Sequence, residues 1–143
     1  MPIVVKRVYE QPSPADGTRV LVDRLWPRGL TKQAAALDAW LKDLAPSNEL
    51  RVWAHSHPGA WESFRQRYLK ELGAPAANQA LQELYRLARR KRRLTLLYAF
   101  KNEERNNATV LKELLDGMKK PPTGTGPAAS GAARLRKAAR RPA

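Results

Sequence analysis

The sequence predicts a small α/β domain with a short, mainly parallel sheet of about three strands covered by about five helices. Two apolar segments, residues 20–22 and 94–100, show no alternation of polar and apolar residues, which is typical of strands buried on both faces. Segments with helical spacing of apolar residues separate them, over a length that suits a parallel crossover. Together these features indicate a sheet with a layer on each side.

Three segments are predicted to form the strands. Residues 3–9 are mostly β-branched or apolar, and residues 18–26 and 94–100 contain the two unbroken apolar runs. Pro12, Pro14 and Gly17 mark a turn-rich loop between the first two strands. Because this loop is only about eight residues long, the first two strands could be antiparallel or joined by a tight, irregular crossover.

Five helices are expected between and after these strands. Thr31 suits the N-cap of the first helix, whose apolar stripe would comprise Leu37, Trp40, Leu41 and Leu44. The second helix is predicted to start at residues 46–47, and the third and fourth helices to carry apolar stripes over residues 61–72 and 77–88. Asn102 is the expected N-cap of the last helix, and Gly117 its expected C-cap.

Charge is unevenly distributed along the chain. The sequence has 27 Lys and Arg residues against 13 Asp and Glu residues, a formal net charge of +14. Residues 1–119 are predicted to form the domain, and residues 120–143 a basic tail rich in Ala, Pro and Arg that is disordered. This tail and the basic run at residues 89–93 would attract polyanions, and non-specific nucleic acid is a candidate partner.

Several classes of protein are disfavoured by composition. With no cysteine, the chain has neither disulfides nor thiolate metal ligands, which fits a reducing cytoplasm. Its apolar runs are too short for a membrane span, and residues 1–7 do not resemble a signal peptide. His55 and His57 lack a nearby carboxylate cluster and are interpreted as loop residues, so neither a metal nor another cofactor is expected.

Polar residues follow the second and third predicted strands. In open parallel sheets, ligands bind beyond the carboxyl ends of the strands. Cations and helix amino ends placed there favour an anion such as phosphate. Asp23 is the candidate acid–base or orienting group, although it could equally form an internal ion pair. The expected ligand-binding residues are Arg24, Arg28, Lys101, Asn102, Asn106 and Asn107.

Two features of this predicted site have alternative interpretations. Adjacent asparagines weaken a helix interior, so Asn106 and Asn107 suggest hydrogen bonds to a ligand, unless they simply face solvent. Trp26 stands beside arginine at a strand end and could stack on a ligand, whereas Trp40, Trp53 and Trp61 are expected in the core.

The chain resembles the YeaO-like bacterial family, a domain of unknown function. The resemblance rests mainly on residues 20–29 (VLVDRLWPRG), and it continues through residues 6–9, 44–47, 61–64 and 95–99, with Lys101 and residues 106–108 in matching order. It implies a Rossmann-like, three-layer α/β fold and no established reaction. A related branch carries cysteine and histidine where this chain has Tyr98 and residues 105–107, so thiol or metal chemistry does not transfer.

Three functions remain open at the level of sequence. The first is anion binding at the predicted strand ends, including the possibility of an enzyme acting on a phosphorylated or nucleic-acid substrate. The second is a non-enzymatic nucleic-acid-binding protein that uses the tail and residues 89–93. The third is a structural or partner-binding protein in which the polar cluster is an internal network.

Overall fold

A four-stranded, fully parallel sheet forms the centre of the domain. In the computed structural model, residues 2–90 and 92–122 are described. The strands are β1 (Ile3–Arg7), β2 (Thr18–Leu21), β3 (Ala39–Trp40) and β4 (Leu94–Tyr98), in the order β1-β4-β2-β3. The predicted mainly parallel sheet is therefore confirmed, with one more strand than expected. The predicted tail lies outside the described residues from residue 123 onward.

Five helices accompany the sheet. They are α1 (Lys32–Ala35), α2 (Asn48–Ser56), α3 (Trp61–Glu71), α4 (Pro75–Ala88) and α5 (Asn107–Asp116). Local sequence explains several of their ends: Ser47 accepts a hydrogen bond from the Leu50 N–H, Pro75 occupies the first turn of α4, and Gly117 is the C-cap of α5. None of the helices in residues 2–90 and 92–122 is long and apolar enough to cross a membrane.

The two faces of the sheet are covered differently. Helices α2 to α5 cover one face, where the main core contains Val20, Leu94 and Leu96 from the strands. On the opposite face, α1 and its flanking segments cover a smaller apolar cluster around Leu21 and Leu97. The domain is thus a small three-layer α/β structure, and its third layer is mostly irregular.

The predicted first helix is wrong over residues 37–44. Helix α1 ends at Ala35, its C-cap Ala36 adopts the left-handed conformation with φ 49°, and the chain then enters β3. Ala39 and Trp40 pair with β2, and a 3-10 turn follows at Lys42–Leu44. The apolar spacing fits this arrangement as well, because the side chains pack on the sheet from two short elements.

Four other predicted boundaries need correction. The first predicted strand ends at Arg7, the second at Leu21 and the third at Tyr98. The Val22 N–H still donates to the Leu97 oxygen, so β2 separates from the sheet just before Asp23. The last helix is capped by Asn106, four residues later than predicted.

The connection between β1 and β2 is a tight crossover built around a buried carboxylate. Both strands run parallel to β4, which excludes the antiparallel alternative. Within the crossover, Asp16 lies 3.0 Å from Lys6 Nζ and 2.6 Å from Arg19 Nη1. Burial favours the neutral acid, but these two cations and the Ser13 N–H outweigh it and lower the pKa of Asp16. The Thr95 hydroxyl, at the centre of the sheet, donates to the Asp16 carbonyl at 2.7 Å.

Gly17 gives a test of how tightly this crossover is constrained. Its φ is +67°, and a Cβ atom there would lie 2.2 Å from the Arg93 carbonyl oxygen. That oxygen accepts the Thr18 N–H hydrogen bond, so it cannot move without disturbing the start of β2. We expect Gly17→Ala to lower the free energy of unfolding by at least about 1–3 kcal/mol, measured by denaturant titration.

Gly59→Ala is the matched control, because no atom lies within 4 Å of its added Cβ and its φ lies outside the left-handed range. The control should leave stability unchanged or raise it by up to about 1 kcal/mol. Equal losses in the two variants would contradict the crossover geometry.

Candidate functional site

The carboxyl ends of β2 and β4 lie side by side and point the same way. Leu21 pairs with Leu97 in a parallel register, so the segments that follow these strands leave the sheet at one edge. This confirms the strand arrangement on which the predicted site depends. We call the surface formed by residues 7–10, 22–28 and 98–107 the carboxyl edge.

Asp23 is held by two amide donors at this edge. One carboxylate oxygen accepts the Ala99 N–H at 2.9 Å, and the other accepts Asn107 Nδ2 at 3.0 Å. Asn107 Nδ2 also donates to the Val22 carbonyl at 3.0 Å, so both hydrogens of its amide are used. Within the described ranges Asp23 forms no ion pair, and Arg24 instead donates to the Ala45 carbonyl at 3.3 Å.

The environment of Asp23 favours its protonated form. Burial raises the pKa of the Asp23 carboxyl, and the hydrogen bonds from Asn107 and Ala99 offset only part of this effect. The fully buried Tyr68 lies close by and donates its hydroxyl to the Leu44 carbonyl. Burial raises the pKa of Tyr68 well above its usual value, and the negative charges of Asp23 and Glu71 raise it further.

The three predicted asparagines organise the start of α5. Asn106 accepts the Thr109 N–H at 3.0 Å and donates to the Asn102 carbonyl at 2.9 Å. The Asn102 side chain accepts the N–H groups of Glu104 and Arg105 at 2.9 and 3.0 Å. Since Asn107 holds Asp23, the side chains of all three residues serve the fold, and their contact with a ligand stays a prediction.

The three predicted cations are exposed at the carboxyl edge. Arg24 and Arg28 follow β2, and Lys101 follows β4. Among residues 2–90 and 92–122, no carboxylate forms an ion pair with any of them. No carboxylate of these described residues therefore neutralises the three charges, although the Arg24 guanidinium also donates to the Ala45 carbonyl.

Trp26 is partly committed to packing. Its indole N–H donates to the Leu30 carbonyl at 2.7 Å, and its ring meets Trp40 edge to face with 5.3 Å between centroids. Trp40 in turn donates to the Asp23 carbonyl at 2.7 Å. Trp26 is half-buried, so stacking on a ligand would use the remaining part of its ring.

The histidines do not converge. His57 stacks on Trp53, with ring centroids 4.3 Å apart, and its Nδ1 lies 2.8 Å from the Trp53 carbonyl. His55 meets the ring of Phe100, with centroids 6.4 Å apart. In the part of the chain that the structure describes, no three His, Asp or Glu side chains are placed to hold a metal ion.

Sequence reasoning missed the contribution of β1 to this edge. Arg7 donates to the carbonyl groups of Phe100 and Ala99 at 3.0 and 2.8 Å, and its guanidinium lies 5.2 Å from the ring centroid of Tyr9. Tyr9 donates its hydroxyl to the Arg28 carbonyl at 3.0 Å. These residues follow or end a strand, but the sequence does not reveal that β1 is the neighbour of β4.

Fold and site together define a small three-layer α/β protein with a polar carboxyl edge at which Arg24, Arg28 and Lys101 are exposed. The chain belongs to the family described as the inactive DUF488-N3 subclade, whose model matches residues 2–131. It is 47% identical over 117 residues to the uncharacterised protein YeaO of Escherichia coli (strain K12), which covers 80% of this chain and 97% of that protein. The predicted resemblance to the YeaO-like family is therefore confirmed.

Mycobacterial proteins are similar to nearly the same extent. The uncharacterised proteins Mb3100c of Mycobacterium bovis and Rv3073c of Mycobacterium tuberculosis are each 45% identical over 113 residues, 79% of this chain and 92% of each relative. No solved structure matches the chain.

The raised pKa of Asp23 predicts a specific pH dependence. The folded-state pKa lies above the unfolded value, so the folded protein binds more protons between the two values. The contribution of Asp23 to stability should therefore increase as the pH falls through the folded pKa, and level off below the unfolded value of ~3.9. Subtracting the pH–stability curve of Asp23→Asn from that of the wild type isolates this contribution. If the stability difference between the wild type and Asp23→Asn became smaller as the pH fell, the buried environment described for Asp23 would be wrong.

Removing the side chain should also be costly at neutral pH. Asp23→Ala leaves the Ala99 N–H and the Asn107 amide without their acceptor, and we expect a loss of about 1–3 kcal/mol by denaturant titration. The control is Asp43→Ala, which removes an exposed carboxylate from the 3-10 turn and should change stability by less than about 0.5 kcal/mol. Similar losses in both variants would show that the internal contacts of Asp23 do not stabilise the fold.

Proposed function

We propose that this chain is a non-catalytic binding protein whose ligand is a phosphate-bearing anion recognised at the carboxyl edge. The observation that carries the proposal is the exposure of Arg24, Arg28 and Lys101 at the ends of two adjacent parallel strands. Guanidinium and ammonium groups recognise phosphate through charge-assisted hydrogen bonds. The overall positive charge of the protein also favours the approach of an anion.

The contacts of Asp23 support binding without catalysis. A ligand phosphate at the amino end of α5 would need backbone or amide donors. The Ala99 N–H and the Asn107 amide already donate to Asp23, so an internal carboxylate uses the donors that such a ligand would require. The description of the matching family as inactive agrees with this interpretation.

An enzyme in which Asp23 acts as acid or base is the competing proposal for the same edge. It is favoured by the raised pKa of this carboxyl, since a general acid works best when its pKa approaches the working pH. The two fixed amide donors weigh against it, because they hold the carboxylate on its own chain.

A second candidate function is nucleic-acid binding at the opposite edge of the sheet. The exposed residues Arg89, Arg90, Arg92 and Arg93 lie between α4 and β4, and the Arg93 carbonyl accepts the N–H of Thr18 at the start of β2. We call these four arginines the amino-edge cluster. Its charge density favours phosphate contacts without sequence readout.

Two charge-reversed variants of the full-length chain distinguish the two edges. One carries Arg24→Glu, Arg28→Glu and Lys101→Glu, and the other carries Arg89→Glu, Arg90→Glu and Arg92→Glu. Both change the net charge by the same amount, so a general loss of electrostatic attraction affects them equally. We expect the carboxyl-edge variant to bind inorganic polyphosphate at least tenfold more weakly than the amino-edge variant does, measured by calorimetry at several salt concentrations.

The opposite order of affinities would favour the amino-edge cluster and overturn our proposal. Equal affinity of both variants and the wild type would overturn it as well, because neither edge would then contact the anion. Circular dichroism and thermal unfolding establish that both variants are folded before binding is compared.

A further inference from the structure

Exposed apolar side chains gather at the carboxyl edge. In the described part of the chain, the large apolar residues with the greatest exposure are Tyr9 (42%), Leu25 (68%), Val52 (53%) and Phe100 (52%). Tyr9, Leu25 and Phe100 belong to the segments that follow β1, β2 and β4. Exposed apolar groups that cluster in this way mark interaction sites more often than scattered ones do.

Two of these residues are aromatic, and their backbone segments are tied together by Arg7. Arg7 pairs with Tyr98 in the β1–β4 register, and Tyr9 and Phe100 each lie two residues further along. Arg7 binds the Phe100 carbonyl and lies against the Tyr9 ring, which ties the two segments together. The Tyr9 hydroxyl donates to the Arg28 carbonyl, and the Phe100 ring, which meets His55 edge to face, belongs to the residue before Lys101.

Acidic residues interrupt the positive charge at this edge. Burial raises the pKa of the Tyr98 hydroxyl at the end of β4, and the negative charges of the nearby Glu103 and Glu10 raise it further. Phosphate contacts are therefore few, and charge alone gives limited affinity. A ligand that also stacks on aromatic rings gains binding affinity beyond that of the phosphate contacts.

We propose that the anion recognised at the carboxyl edge is single-stranded nucleic acid, with bases stacked on Tyr9 and Phe100 and backbone phosphates on Arg24, Arg28 and Lys101. This inference rests on the proposed function and names its ligand class. Single strands expose the faces of their bases, whereas a duplex buries them, and stacking on protein rings tolerates any sequence. A protein partner would satisfy the apolar groups but has no need of the cations.

The test compares three ligands and a set of variants of the full-length chain. The ligands are a labelled oligothymidine, a duplex of the same length and inorganic polyphosphate, measured by fluorescence anisotropy and competition. The double variant Tyr9→Ala and Phe100→Ala should bind oligothymidine at least about 5-fold more weakly, the lower limit for the loss of one base–aromatic stack. Its affinity for polyphosphate should stay within twofold of the wild type.

Matched variants separate stacking from apolar contact. Leu25→Ala removes an exposed apolar group from the same edge without removing a ring, and it should change oligothymidine affinity less than twofold. The double variant Tyr9→Phe and Phe100→Trp keeps both rings and should retain the affinity of the wild type.

Unchanged oligothymidine binding in the alanine double variant would overturn this inference. The proposed function would still stand if the carboxyl-edge charge variant bound polyphosphate more weakly than the wild type. If the charge variant bound both oligothymidine and polyphosphate with the affinity of the wild type, the proposed function itself would be wrong. If Leu25→Ala weakens oligothymidine binding as much as the loss of both rings, general apolar contact replaces ring stacking and the proposal that bases stack on Tyr9 and Phe100 fails.

Discussion

The contact between the end of β2 and the start of α5 is the interaction on which the carboxyl edge depends. Where β2 leaves the sheet, the Val22 carbonyl loses the backbone partner that a longer strand would supply, and the Asp23 carboxylate needs donors of its own. One amide group, that of Asn107, donates to both. A hydrogen bond to a charged group contributes ~1.5–3 kcal/mol when both partners are held in place. The Ala99 N–H completes the arrangement, so that β2, β4 and α5 are joined at one carboxyl group.

This arrangement changes what the edge can bind. Open α/β sheets usually recognise ligands beyond the carboxyl ends of their strands, often with help from a helix amino end. Here the cap of α5 is Asn106, and the neighbouring amide of Asn107 serves an internal carboxylate. A small anion would have to displace Asp23, which is costly because the carboxylate would lose two hydrogen bonds. We therefore place the proposed anion recognition further out, on exposed side chains of the segments that follow the strands.

The sequence predicted those parts of the fold that are determined by local pattern. The unbroken apolar runs identified β2 and β4 as buried parallel strands, and their ends brought Asp23 and Asn107 to one place, as the structure shows. The stripe from Leu37 to Leu44 misled because a spacing of three and four residues also suits two short elements packed on a sheet. Helix α1 stops before Ala36, which is in the left-handed conformation. Glycine or asparagine at this position would have indicated a helix end, but alanine does not. Similarly, Asn102 and Asn106 are equally good caps, and tertiary packing decides between them.

Strand order was the information that the sequence could not provide. Because β1 lies next to β4, a third strand end contributes Arg7 and Tyr9 to the carboxyl edge. The same order places the amino-edge cluster at the other end of β4, a strand of five residues, or roughly 16 Å. A single phosphate group cannot contact both basic regions across this distance. The two regions are therefore separate candidate sites, and a charge change at one of them leaves the other intact.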